Sequence, residues 1–139
     1  MPTEARPKPR NSDADEATSP QLGELLRKEP SDKVLNKILD NARKLETEQP
    51  VDYMDVGEHY IAASRTASKL GQKDRARQYQ EKAIEFLSKE LRIRATMAAK
   101  ALASSGVRLI TVGINVMGIT IEVSFDVNEL LAPQPQSYK

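Results

Sequence analysis

The sequence predicts a mainly α-helical protein closed by a C-terminal β-hairpin. Three observations carry that expectation. Apolar residues recur at three- and four-residue steps from Leu22 to Leu102, the period of a helix with one buried face. From Ile119 to Val127 the period changes to two, with Ile119, Ile121, Val123, Phe125 and Val127 alternating with Thr120, Glu122, Ser124 and Asp126. Aromatics make up only 4% of the chain and Trp is absent, so a core of Leu, Ile, Val and Ala is expected, which suits helix packing.

Residues 1–19 hold three Pro, mixed charges and few apolar side chains, so they read as a disordered tail. Ser19-Pro20 marks a helix start, with Leu22, Leu25 and Leu26 as a short stripe ending before Pro30. Ser31 caps a second helix, where Val34, Leu35, Ile38, Leu39, Ala42 and Leu45 form an apolar face. A third runs from about Asp52 to Leu70, with Tyr53, Val56, Tyr60, Ala63 and Ala67 on one side and Gly71 as its C-cap. A fourth pattern, residues 73–105, meets neither Gly nor Pro and is longer than a small domain needs. It either projects or breaks near Arg92–Thr96, where Arg94 falls on the apolar stripe.

Strands are expected over 107–113 and 118–127, joined by a turn or bulge within Gly113–Gly118. The organisation that follows is a tail at 1–19, a helical domain at 20–105, a hairpin at 106–128 and a flexible tail at 129–139. A membrane span is not expected, because the uncharged run Leu109–Ile121 has 13 residues against about 20 for a spanning helix. A two-stranded hairpin is marginal alone. Its apolar face, Ile119, Ile121, Val123, Phe125 and Val127, must cover the long helix or support self-association with a second copy.

Charge and chemistry narrow the functional classes. The net charge of +1 hides a basic stretch at 71–108, where nine Lys and Arg face four Asp and Glu. Such a helix attracts acidic partners, nucleic acid or an anionic membrane surface. Cysteine is absent, so thiol nucleophiles, disulfides and Cys-based zinc sites are excluded. A cytoplasmic setting is expected, since no secretory signal is evident at the N-terminus. His59 is the single histidine and is read as structural; Asp52, Asp55 and Glu58 suit a helix first turn better than a metal. No GxxxxGK loop is present, and neither enzymatic activity nor a cofactor is expected.

The segment YIAASRTASKLGQKDRARQYQEKAIEF, Tyr60–Phe86, resembles a tetratricopeptide repeat. Tyr60 stands at the position usually held by Trp, Ala63 at that of Leu and Gly71 at the turn; Ala76 and Ala83 take the two small positions of the second helix. The departures are Ser64 for the first-helix Gly, Ala67 for Tyr, Gln80 for the second-helix aromatic and Ser88 for the terminal Pro. The likeness covers one degenerate repeat, about residues 57–87, and the hairpin is also similar to the microtubule-interacting-and-trafficking domain. The resemblance implies a non-enzymatic adaptor or assembly protein. Its concave surface, at Glu58, Ile61, Arg65 and Lys69, would hold a peptide segment of another protein, the two cations favouring an acidic one. The alternative is a nucleic-acid- or membrane-surface-associated protein acting through Lys89, Arg92, Arg94, Lys100 and Arg108 of the basic stretch and through the apolar C-terminal segment.

Overall fold

The computed structural model of the chain describes residues 12–132. Six helices and a two-stranded antiparallel sheet follow in the order α1 (Ser12–Glu16), α2 (Pro20–Arg27), α3 (Asp32–Glu46), α4 (Tyr53–Lys69), α5 (Lys73–Ala101), β1 (Leu109–Val116), β2 (Ile119–Asp126) and α6 (Val127–Leu131). The mainly helical class with a terminal hairpin is the observed one.

Local chemistry sets most of the boundaries. Ser19 Oγ accepts from the Leu22 amide at 3.3 Å, with Pro20 opening α2. Ser31 Oγ accepts from Val34 at 3.1 Å, and Asp52 Oδ1 accepts from Asp55 at 3.0 Å, each satisfying a helix N-terminal amide. Helix α4 ends in a Schellman turn: the Gln72 amide donates to Ala67 O at 2.9 Å and the Gly71 amide to Ser68 O at 3.0 Å. Gly71 takes φ +79° there, a conformation that costs an L side chain about 1–2 kcal/mol.

Helix α4 departs from a one-sided amphipathic helix. Besides Val56, Tyr60, Ala63 and Ala67, it buries Gly57, Glu58, His59, Ile61, Ala62, Ser64 and Thr66. The small side chains among them, Gly57, Ala62, Ala63, Ser64 and Ala67, let neighbouring elements close over the helix. The approach to α5 is tightest at Gly57, where a Cβ would sit 2.4 Å from Leu87 Cδ2. Two turns further on, the buried Ser64 Oγ donates to Ala76 O at 2.7 Å, so a side chain is satisfied by the neighbouring helix. Between them on the same face, Tyr60 stacks on Phe86 of α5 with ring centroids 6.2 Å apart.

Helix α5 is unbroken through Arg92–Thr96. Arg94 stays on the surface and its Nε donates to Glu90 Oε2 at 2.8 Å, so a charge on the stripe needs no break. Beyond the reach of α4, Ala95 and Ala99 are buried under Ile110, Val127 and Leu130, so the second half of α5 has its own small core.

The hairpin turns at Met117-Gly118, both with positive φ (51° and 86°), as a two-residue connection requires. The turn is therefore later and tighter than the glycine pair suggested, and Gly113 is a strand residue opposite Glu122. Ile110, Val112, Ile114 and Val116 continue the apolar face of β2, pairing Phe125, Val123, Ile121 and Ile119. That face lies on the helical body: Ile114, Val116 and Met117 join the main core, with Ile119, Ile121 and Val123 packed against it. Val127, expected to end the strand, opens α6 instead, because Asp126 Oδ1 caps the amides of Asn128 (2.8 Å) and Glu129 (3.4 Å).

The described part of each expected tail contains helix. Residues 12–19 hold α1 and its connection to α2, and Glu129–Leu131 are helical, with Leu130 buried. The rest of those tails, residues 1–11 and 133–139, lies outside the described residues.

Gly57→Ala is expected to destabilise the protein by about 1–3 kcal/mol in urea unfolding, since overpacking against Leu87 outweighs the better helix propensity of Ala. Gly71→Ala, which meets no atom within 4 Å, should cost only its backbone strain, about 1–2 kcal/mol. In a double-mutant cycle, Leu87→Ala should couple to Gly57→Ala and not to Gly71→Ala.

Candidate functional site: an acidic segment held on helix α4

Helix periodicity puts Glu58, Ile61, Arg65 and Lys69 at three- and four-residue steps along one side of α4, and the fold fills that side with the chain's own N-terminal segment. Arg65 Nη1 donates to Asp13 Oδ1, and Lys69 Nζ donates to Asp13 Oδ2 at 3.0 Å. Arg65 Nη2 donates to the Met117 carbonyl at the hairpin turn, so one guanidinium ties α1, α4 and the hairpin together. Glu16 lies at the edge, 4.0 Å from Arg65.

Glu58 sits deeper, only 2% exposed, and its Oε2 accepts from the Thr18 amide at 2.6 Å in the α1–α2 connection. Its Oε1 has no hydrogen-bond partner among the described residues. Covering this carboxylate therefore carries a desolvation cost that a single hydrogen bond offsets only in part. Ile61 is fully buried.

Ile61 and Arg65 also border an open groove of about 380 Å³ between α4, α5 and the hairpin, lined further by Ser64, Ser68, Lys73, Arg77 and Ile119. Three cations and no carboxylate line it. Sequence reasoning missed Lys73 and Arg77, though their i,i+4 spacing on a basic helix was available, and missed Asp13 because a polar segment of five acidic and small residues has no periodic signal. The groove joins Ile119, expected in self-association, to two residues expected in partner binding. Among the others, Ile121, Val123 and Phe125 are half-buried against the helices and Val127 is buried in the smaller core.

Elsewhere the titratable groups are structural in their contacts. His59 is buried and its Nδ1 lies 2.9 Å from Asp55 O, one turn earlier on the same helix. The Tyr60 hydroxyl donates to Glu46 Oε2; burial, then the bond to and charge of Glu46, raise its pKa, so it remains a donor. No group of three or more His, Cys, Asp and Glu side chains among the described residues is placed to hold a metal ion. No protein-family model, curated protein or solved structure matches this chain.

Burial raises the Asp13 carboxyl, but the hydrogen bonds and charges of Lys69 and Arg65 outweigh it and hold the pKa below the usual carboxylate range. Because the folded value is the lower one, the contact contributes stability above the unfolded pKa and loses it as pH falls through the folded value. Amide protection of residues 12–19, corrected for intrinsic exchange, should stay level from neutral pH to about pH 4 and fall below it. Asp13→Asn should lower the protection at neutral pH and flatten that dependence.

Proposed function

We propose that the protein is a non-enzymatic adaptor whose α4 face and adjoining groove bind an acidic segment of a partner protein. The observation that carries this reading is the double engagement of Asp13 by Arg65 and Lys69. The surface accepts a short acidic helix when the chain supplies one, so it suits a partner segment of the same chemistry. Lys73 and Arg77 extend the cationic lining and would hold further carboxylates. The part-satisfied Glu58 favours exchange: lifting the α1–α2 connection returns that carboxylate to water, which refunds part of the cost of displacement.

The α4–α5 pair supports the tetratricopeptide-like reading in its packing, since Ala63, Ala67, Ala76 and Ala83 are buried at the positions where such a repeat brings its helices close. The hairpin would support assembly through its strand edges. Among the described residues each strand of the two-stranded sheet pairs on one side only, so its other edge would offer backbone groups to a second copy.

A labelled peptide of the chain's own sequence NSDADEATSP is the direct probe of the α4 face. It should bind the Asp13→Ala variant about tenfold or more tightly than the parent chain, because the internal competitor is weakened, and Arg65→Glu should abolish binding to both. Absence of binding to Asp13→Ala, or binding indifferent to Arg65→Glu, refutes the reading. For assembly, light scattering of the full chain should give a mass of two or more copies; the mass of a single copy would remove the hairpin's role.

A further inference from the structure

At the opposite end of α5 from the acidic-segment groove lies a second surface of different chemistry. Ile93 is 45% exposed and Met97 66% exposed, one turn apart, on the side of the helix away from the buried Ala95 and Ala99. Lys89, Arg92 and Lys100 surround them. With Tyr53 and Thr96, these five side chains line a shallow groove of about 440 Å³ that contains no carboxylate. The nearby acid, Glu90, is turned aside to Arg94 at 2.8 Å. Lys89 is held over the Tyr53 and Phe86 rings, 5.6 and 5.4 Å from their centroids, while Arg92 and Lys100 form no ion pair among the described residues.

We propose that this face of α5, with Lys89, Arg92 and Lys100 around Ile93 and Met97, docks on an anionic lipid surface. Cations that flank exposed apolar side chains on one helix face match the two layers of a membrane interface. Headgroup phosphates and carboxylates take the charges, and Ile93 and Met97 enter the acyl boundary. Tyr53 has the amphipathic ring that favours the same depth. No helix among the described residues is long and apolar enough to cross a membrane, so the contact is with the surface.

Charge and area select this occupant over the others. A second copy would bring like cations together across the contact. A stable protein interface buries about 1,200–2,000 Å² in total, of which two exposed apolar side chains supply little. A nucleic-acid backbone would match the cations and leave Ile93 and Met97 facing phosphates. Lipid binding needs only shallow insertion, reinforced by about 1 kcal/mol per cation, which is about fivefold in partitioning. The inference is independent of the acidic-segment groove, since none of the five residues lines it.

The test is co-sedimentation of the full chain with vesicles of phosphatidylcholine, alone or with about 30% phosphatidylserine. The chain should pellet with the anionic vesicles only and be released by raised salt. Arg92→Glu and Lys100→Glu should each lower partitioning about fivefold or more, and Met97→Ser should lower it too, all with unchanged circular dichroism. No pelleting, equal pelleting with both vesicles, or pelleting unaffected by Arg92→Glu and Met97→Ser overturns the proposal. So does tight binding of a uridine oligonucleotide that Arg92→Glu abolishes and Met97→Ser spares, in the absence of vesicle binding. A drop in scattering mass on Met97→Ser would assign the face to a second copy and overturn it equally.

Discussion

Everything in this molecule is arranged around the burial of α4. A helix enclosed on all sides can have no wide side chains where neighbours must come close, and α4 meets that condition with Gly57, Ala62, Ala63, Ser64, Thr66 and Ala67. The contact of Gly57 with Leu87 sets the closest approach of α4 and α5, and the Ser64 bond to Ala76 O locks their register. Once that pair is placed, α3 covers one side, and α1, α2 and the hairpin turn are drawn onto what remains.

The second consequence is electrostatic. A central helix with polar positions on its remaining face must find partners for them within the fold. Arg65 and Lys69 find theirs in Asp13, and Arg65 also reaches the carbonyl of Met117, whose own side chain is buried although its backbone is left-handed. An N-terminal segment of low hydrophobicity is thereby ordered by charge-assisted hydrogen bonds, with little apolar burial of its own. Such a contact is strong in geometry and weakly anchored in area.

The two halves of α5 do different work. The first half packs one face on α4 and shares its core through Ala76, Ala83 and Leu87. The second half outruns α4 and is covered on one side by the hairpin and α6, through Ala95 and Ala99. Its other side is less covered, which is why Ile93 and Met97 remain in contact with solvent. The length of this helix, excessive for a four-helix body, is explained by the second small core that it carries.

The local signals in the sequence determined the elements themselves: the caps at Ser19, Ser31 and Asp52, the stop at Gly71, the three- to four-residue stripes and the two-residue alternation after Gly118 each depend on neighbours in the chain. The turn position was less legible, because Gly113 and Gly118 both invite a bend and only the shared register of Ile110, Val112, Ile114 and Val116 with β2 selects Met117-Gly118. The candidate site was half legible. Spacing put Glu58, Ile61, Arg65 and Lys69 on one face, but their burial and pairing depend on Asp13 and Thr18, which are 40 to 56 residues away along the chain. Tertiary structure alone decided what covers that face of α4, because contacts between distant segments leave no periodic trace in either one.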